Sequence, residues 1–282
     1  MKIGIVILNY NDSKTTSEMI EHIKNYSILN EIVIVDNNST DQSYEILKKY
    51  ESDKIKVIKA DKNGGFGYGN NIGARYLAKI GVDYIIFSNP DVIVEEKDIV
   101  AIKESLNDLE NAAIVAPCIN EHGKISRGWK LKGPIWDSFS NINFIGRFFK
   151  DRQKYPESYY KGEYTKVDVV SGCFFAIKKD VFEKLRGFDE NIFLYYEENV
   201  LAKKIKELDM DIFIRNDIQV IHNHSVSINK SFNKIKKFKV LAKSQQYYHK
   251  KYNNIGWIKK LILYFSYYIT LAISYIISIF KK

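Results

Sequence analysis

The sequence predicts an α/β fold: a mostly parallel central sheet flanked by helices, followed by a C-terminal membrane-associated helix. Three observations predict it. Short apolar runs alternate with stretches whose apolar residues recur at helical spacing, the pattern of parallel strands covered on both faces. Several of these runs end in Asn or Asp, where an open α/β sheet presents its ligand crevice. Residues 261–280 form a twenty-residue stretch without a charge, bracketed by Lys259-Lys260 and Lys281-Lys282.

The elements follow in order. Residues 2–8 are a first strand, closed by the polar turn Asn9-Tyr-Asn-Asp12. Residues 13–26 carry Met19, Ile20 and Ile23 at helical spacing. Residues 31–36 are a second buried strand, and Ser39-Thr-Asp-Gln42 fits a capping box before the next helix. Residues 54–60 are a third strand, and residues 63–71 a glycine-rich loop leading into a helix over 72–80. Residues 83–89 form a fourth strand, 95–109 a helix and 112–117 a fifth strand. Residues 122–164 have no clean period and read as strand fragments and loops. Residues 167–178 read as one strand, 179–185 as a short helix and 197–208 as an amphipathic helix. Residues 211–222 give one or two strands, and 232–251 a Lys-rich helix. The expected organisation is one catalytic domain over residues 1–228, a Lys-rich helical connector over 229–260 and the hydrophobic helix over 261–280.

Composition narrows the function classes. An apolar fraction of 45% is enough for a real core in a soluble globular chain. Two cysteines, Cys118 and Cys173, make no disulfide framework, and Cys173 reads as a small buried hydrophobe. Residues 3–8 are too short and too soon interrupted to be the apolar core of a signal peptide. The net charge is uneven: of the total of +9, residues 218–282 supply +12 from twelve Lys and no acid, leaving −3 on residues 1–217. Such a tail suits a polyanionic partner. Its Lys cluster borders an apolar span instead of interleaving with base-stacking groups, so anionic lipid fits and nucleic acid does not. Twenty residues suffice to cross a bilayer core, and Tyr264, Tyr267, Tyr268 and Tyr275 are of the type that seats at membrane interfaces. Spanning the membrane and lying in its interface both remain open.

Candidate site residues cluster at the strand ends. Asp36 can accept the imide N–H of a uracil or thymine ring, or simply close a turn. The glycines of Asn63-Gly-Gly-Phe-Gly-Tyr-Gly-Asn-Asn71 can bring backbone N–H groups to an anion. Their spacing fits neither the dinucleotide fingerprint nor a P-loop. Asn89-Pro90-Asp91 can hold a hard divalent cation together with phosphate oxygens, or cap the helix that follows. Glu197 and Glu198 open a helix, where the macrodipole favours acids; a carboxylate there can also serve as general base toward a hydroxyl. Aromatic neighbours, Tyr196 among them, offer sugar-stacking surface. His222 can complete a metal site with Asp91, and His222 with His224 makes a conceivable two-His zinc site.

Taken together, Ile5–Asn11, Ile34–Asp41, Asn63–Asn71, Ser88–Val92, Ser171–Ile177 and Gly187–Glu198 resemble inverting glycosyltransferase family 2, with the GT-A fold. The likeness is to rhamnosyltransferase-like and capsular or lipopolysaccharide enzymes, covers roughly residues 2–230, and ends on His222 with Ser227. It implies that Asn9, Asp36, Asn63 and Gly65 bind the nucleotide. Asn89 and Asp91 take the place of the family's metal-binding Asp-X-Asp, and His222 adds a metal or diphosphate contact. Glu198 is implied as catalytic base, preceded by Glu197. It further implies a UDP- or dTDP-sugar donor, a glycan or lipid-linked acceptor, Mg²⁺ or Mn²⁺ as cofactor, and a place on the cytoplasmic side of the cell membrane. Three departures stand out: Asn89 replaces an acid, Glu198 replaces the usual Asp, and Val200 stands where many relatives carry an acid. A sugar-phosphate nucleotidyltransferase and an inactive membrane-bound glycan- or nucleotide-binding scaffold are the alternatives.

Overall fold

The structure, a computed structural model, describes residues 1–131, 133–140, 142, 146, 153–223 and 234–280. Its sheet runs in the order β3-β2-β1-β4-β9-β6-β10-β5. The first four in that order are β3 (Ile55–Lys59), β2 (Glu31–Asp36), β1 (Ile3–Asn9) and β4 (Tyr84–Ser88). They are mutually parallel. Beyond them the sheet is mixed. β9 (Phe174–Lys178) lies antiparallel between β4 and β6 (Ala112–Glu121), and β10 (Asp211–His222) runs parallel to β6. Short β5 (Val92–Ile93) and β8 (Tyr164–Val167) pair antiparallel with β10, and β7 (Lys124–Ser126) with β6.

Alternation along the central strands explains why they read as unbroken apolar runs. Ile5, Ile7, Ile32, Ile34 and Ile86 face one core; Val6, Val33, Val35, Ile85 and Phe87 face the other. The first core is covered by α1 (Ser13–Ile23), α2 (Ser43–Lys48) and α4 (Glu96–Asp108) through Met19, Ile20, Leu47, Ile99 and Ile102. The second is covered by α3 (Phe66–Lys79), α6 (Lys179–Lys184) and α7 (Glu197–Glu207) through Leu77, Val181, Phe182, Leu201 and Ile205. Strands buried on both faces need no polar alternation.

Several expectations change. The glycine-rich stretch is mostly helix, because α3 already begins at Phe66. Gly73 lets α3 lie close on the sheet: a Cβ there would sit 2.5 Å from a Val6 methyl. No capping box forms at α2, since Ser39 turns back to Asp36 and the cap residue Gln42 makes no side-chain cap bond. The stretch 167–178 is two strands, broken where residues 168–173 leave the ladder. The irregular region contains β7, α5 (Pro134–Ser140) and one 3-10 turn at Glu157–Tyr159. α8 (Lys234–Tyr252) and α9 (Trp257–Phe280) complete the chain. His224, Ser227 and the boundary at 228/229 lie outside the described residues.

Candidate active site

The candidate residues gather at the carboxyl ends of β1, β2 and β4, where an open α/β sheet places its ligand crevice. Asn9 and Asp36, the last residues of β1 and β2, are fully buried neighbours across the ladder. The Asn9 side-chain amide donates to Asp36 Oδ2 at 2.8 Å, and the Ser39 N–H donates to Oδ1 at 2.9 Å. The Ser39 hydroxyl adds a bond to Oδ2 at 2.6 Å, while Thr16 Oγ1 donates to Asn9 Oδ1 at 2.8 Å. Asp36 is thus held by three donors of its own chain, and this knot forms the crevice floor.

Beside it, Asn37 donates to Asn63 Oδ1 and to the Gly65 carbonyl, both at 3.1 Å. Gly65 adopts φ 90°, and a Cβ there would lie 2.1 Å from the Phe193 carbonyl oxygen. That carbonyl accepts the Phe66 N–H at 2.9 Å. The first N–H of α3 is therefore used to tether the loop at Phe193. Asn63 and Gly65, expected to line the nucleotide pocket, are thus joined to the segment that leads into Glu198.

β4 ends at Ser88, and Asn89-Pro90-Asp91 turn over the sheet toward β10. The Asp91 Oδ1 atom lies 3.1 Å from His222 Nε2, and Glu121 Oε1 lies 3.0 Å from His222 Nδ1. The Asn89 amide is 3.5 Å from the same Nε2. Burial works against charge on this imidazole, but Asp91 and Glu121 outweigh it and raise its pKa above the ordinary histidine value. Among the described residues no three His, Cys, Asp or Glu side chains group as a metal cage. One carboxylate and one imidazole oriented by a second acid nevertheless fit a hard cation that completes its shell with diphosphate oxygens. Of the two-His zinc pair, His224 lies outside the described residues.

Glu197 and Glu198 open α7, and their environments separate them. Glu197 is buried, its Oε2 has no hydrogen-bond partner among the described residues, and burial, with the Glu198 charge adding, pushes its carboxyl well above the usual range. Glu198 is half-buried and accepts the Gly172 N–H on Oε1 at 3.2 Å. The next residue, Cys173, accepts the Asn89 N–H on its carbonyl at 2.8 Å. One dipeptide thus links the candidate base to the candidate metal turn. Burial, with Glu121, Asp91 and Glu198 adding their charge, pushes the Cys173 thiol up to about 12. It is an inert, buried thiol, as is the buried Cys118 in its setting.

Tyr195 and Tyr196, just before the acids, both have left-handed backbone, at φ 69° and 71°. Such conformations cost about 1–3 kcal/mol each and persist only where surroundings fix them. Those surroundings come from α8. The Tyr196 hydroxyl donates to Asp137 of α5, whose Oδ2 also accepts His249 Nε2–H at 2.8 Å; Asp137 and His249 are fully buried. Ser244 donates to the Leu194 carbonyl at 2.7 Å, and Tyr248 packs with Ile192, Tyr196 and Val200. Asp189 accepts Tyr247, Lys251 and Tyr252, at 2.9, 2.9 and 2.6 Å. Tyr196 therefore supports the loop from within, and Phe188 is spent in the core against Phe87 and Phe182, so neither offers a stacking surface. Phe193 remains exposed. Asp189 falls within the Gly187–Glu198 stretch without a role having been assigned to it, while Asp137, Ser244 and His249 escape a motif search. The signal for the last two is the spacing Ser244, Gln245, Tyr248, His249, Tyr252, which marks one face of a helix.

A sheet that binds beyond its strand ends, with an acid turn on one side of a dipeptide and a helix-opening acid on the other, defines a GT-A glycosyltransferase. The family model for glycosyl transferase family 2 matches residues 4–186, more than half the sequence, and the chain belongs to that family. It is an enzyme of the hexosyltransferase type. The low-salt glycan biosynthesis hexosyltransferase Agl10 of Haloferax volcanii is 26% identical over 79% of this chain and 68% of that protein. The rhamnosyltransferase WbbL of Escherichia coli is 26% identical over 60% of this chain and 68% of that protein. In fold, the crystal structure of GalNAc-T7 with UDP, GalNAc and Mn²⁺ superposes with a TM-score of 0.66 at 15% identity, over 90% of this chain and 49% of that one. The chain spans about half the length of that structure.

Proposed function

We propose that this chain transfers a sugar, with rhamnose a leading candidate, from a UDP- or dTDP-sugar to a glycan or lipid-linked acceptor in cell-surface polysaccharide synthesis. The anomeric configuration inverts in a single displacement. The observation that carries the reading is the Gly172–Cys173 bridge, which sets the Glu198 carboxylate beside the turn bearing Asn89 and Asp91. The rhamnosyltransferase among the relatives supports the choice of sugar.

Glu198 is the base. It takes the proton of the acceptor hydroxyl as that oxygen attacks the anomeric carbon, while Glu197 stays buried, its carboxyl pushed up by burial. Asn9, Asp36, Asn63 and Gly65 shape the nucleotide side of the crevice. Asp91 and His222 would hold a divalent cation, Mg²⁺ or Mn²⁺, which when bound offsets the negative charge of the departing diphosphate. The catalytic domain over residues 1–228 acts at the cytoplasmic face of the membrane, where the Lys-rich connector and hydrophobic helix keep it near anionic lipid and a lipid-linked acceptor.

The test is turnover of a panel of UDP- and dTDP-sugars with lipid-linked acceptors, reading the product's anomeric configuration by NMR. An inverted product formed by the native chain and lost in Glu198→Gln supports the reading. A retained configuration, or undiminished turnover in Glu198→Gln, refutes it.

A further inference from the structure

α9 and α8 form an antiparallel helical hairpin. Near its turn, Lys250 Nζ contacts the Tyr264 hydroxyl, and far from it Lys239 Nζ donates to the Tyr275 hydroxyl at 3.2 Å. Phe238 stacks on Tyr267, with ring centroids 5.8 Å apart. α9 also packs against α5. It therefore lies against the rest of the chain around residues 263–270.

The two faces of α9 differ. Leu263, Ser266 and Thr270 are buried against the domain. Trp257, Ile258, Leu261, Phe265, Tyr268 and Ile276 are exposed and fall within roughly 100° of the helix circumference. Beside this apolar face runs a stripe of exposed lysines on α8: Lys236, Lys239, Lys243 and Lys250, at spacings that keep them on one side of a helix. The stripe reaches the same tyrosines, Tyr264 and Tyr275, that flank the apolar face.

We infer that α9 lies in the interface of an anionic bilayer and does not cross it. A spanning α9 would carry the lysine stripe of α8 into the hydrocarbon, since Lys239 sits near the far end of α9, and charges there are costly unless they reach water. Lying flat, the helix sinks its apolar face among the acyl chains. Tyrosines and lysines then sit at headgroup level, where both are favoured. The occupant of this face is lipid, and not a second copy of the chain: residues 218–282 contain twelve Lys and no acid, so two such faces would repel each other while an anionic surface attracts them. The inference rests on the membrane attachment proposed above and is independent of the sugar-transfer chemistry.

Two measurements on the full chain test it. In the first, Lys282→Cys and, as a same-side reference, the exposed domain position Lys184→Cys are labelled with an impermeant maleimide in spheroplasts and in inverted membrane vesicles. The native Cys118 and Cys173 are buried and stay silent. Labelling of both variants from the same side is expected; labelling from opposite sides means the helix spans, and overturns the inference. In the second, purified chain is sedimented with phosphatidylcholine vesicles with or without phosphatidylglycerol. Binding should require the anionic lipid and fall at least about tenfold in Leu261→Glu/Phe265→Glu, whose side chains are exposed and leave the fold intact. Undiminished binding in that variant, or a dimer by light scattering that ignores vesicles, overturns it. Absence of binding by the native chain removes membrane attachment altogether, and leaves the transferase assay to stand or fall by itself.

Discussion

The Glu198 carboxylate accepts the backbone N–H of Gly172 at 3.2 Å. That bond fixes where the candidate base points, and the neighbouring Cys173 carbonyl fixes the Asn89 turn. A Cβ at residue 172 would lie 2.9 Å from Glu198 Oε1. Gly172→Ala must therefore shift the carboxylate without removing it. We expect kcat to fall about 10- to 100-fold, with nucleotide affinity unchanged, because misplacement of a reacting group is costly. Glu198→Gln should cost about 10²- to 10⁴-fold. Steady-state kinetics beside nucleotide titration separates the two effects. A Gly172→Ala enzyme of native kcat would show that the bond does not position the base.

Asn89 leaves the candidate metal turn with one carboxylate. Asn89→Asp restores a second, and should tighten the apparent cation affinity in the presence of nucleoside diphosphate by about tenfold. Mn²⁺ titration by calorimetry reads it directly. An unchanged or weaker affinity would place the cation elsewhere.

Glu197 makes stability depend on pH. Its folded pKa lies above the unfolded value, so the folded chain binds the proton more tightly. The contribution is full below the unfolded pKa of about 4.3, and is lost as pH rises through the raised folded value. Glu197→Gln cannot ionise, and should flatten the decline of Tm with rising pH on the alkaline side of that window. Parallel slopes for native chain and variant would mean Glu197 is already ionised in the fold.

Asp137 and His249 are a buried pair that steadies Tyr196. His249→Ala leaves Asp137 buried without that partner and should destabilise by about 3–5 kcal/mol, as broken buried pairs do. The double variant Asp137→Asn/His249→Ala should recover part of that loss. Urea denaturation of the full cycle measures the coupling. Additive losses would mean the pair acts as two unrelated residues.

How much of this was legible in sequence follows from which contacts are local. β1, β2 and β4 are buried on both faces, so their apolar runs stood out, and terminal Asn9 and Asp36, with Asn89 just past β4, marked where the candidate site gathers. The glycines of 64–73 hid the start of α3 at Phe66, because close helix packing and phosphate binding ask for the same residue. The break after Val167 was hidden, since apolar Val169 and Val170 continue the strand pattern while turning away from the ladder. The grip of α8 on the loop before Glu197 left only the one-sided spacing of Ser244, Gln245, Tyr248, His249 and Tyr252: its key partner, Asp137, stands 112 positions from His249 in a stretch without periodicity. Pairings at such distance leave no local pattern.

The most direct test of the site is calorimetric titration of UDP, dTDP and GDP into detergent-solubilised chain, with and without Mn²⁺, for the native sequence, Asp91→Ala and Glu198→Gln. The account predicts cation-dependent binding of UDP or dTDP, lost in Asp91→Ala and kept in Glu198→Gln, because one residue serves the diphosphate and the other the acceptor. Binding of no nucleotide by the folded native chain, or equal loss in both variants, would contradict it.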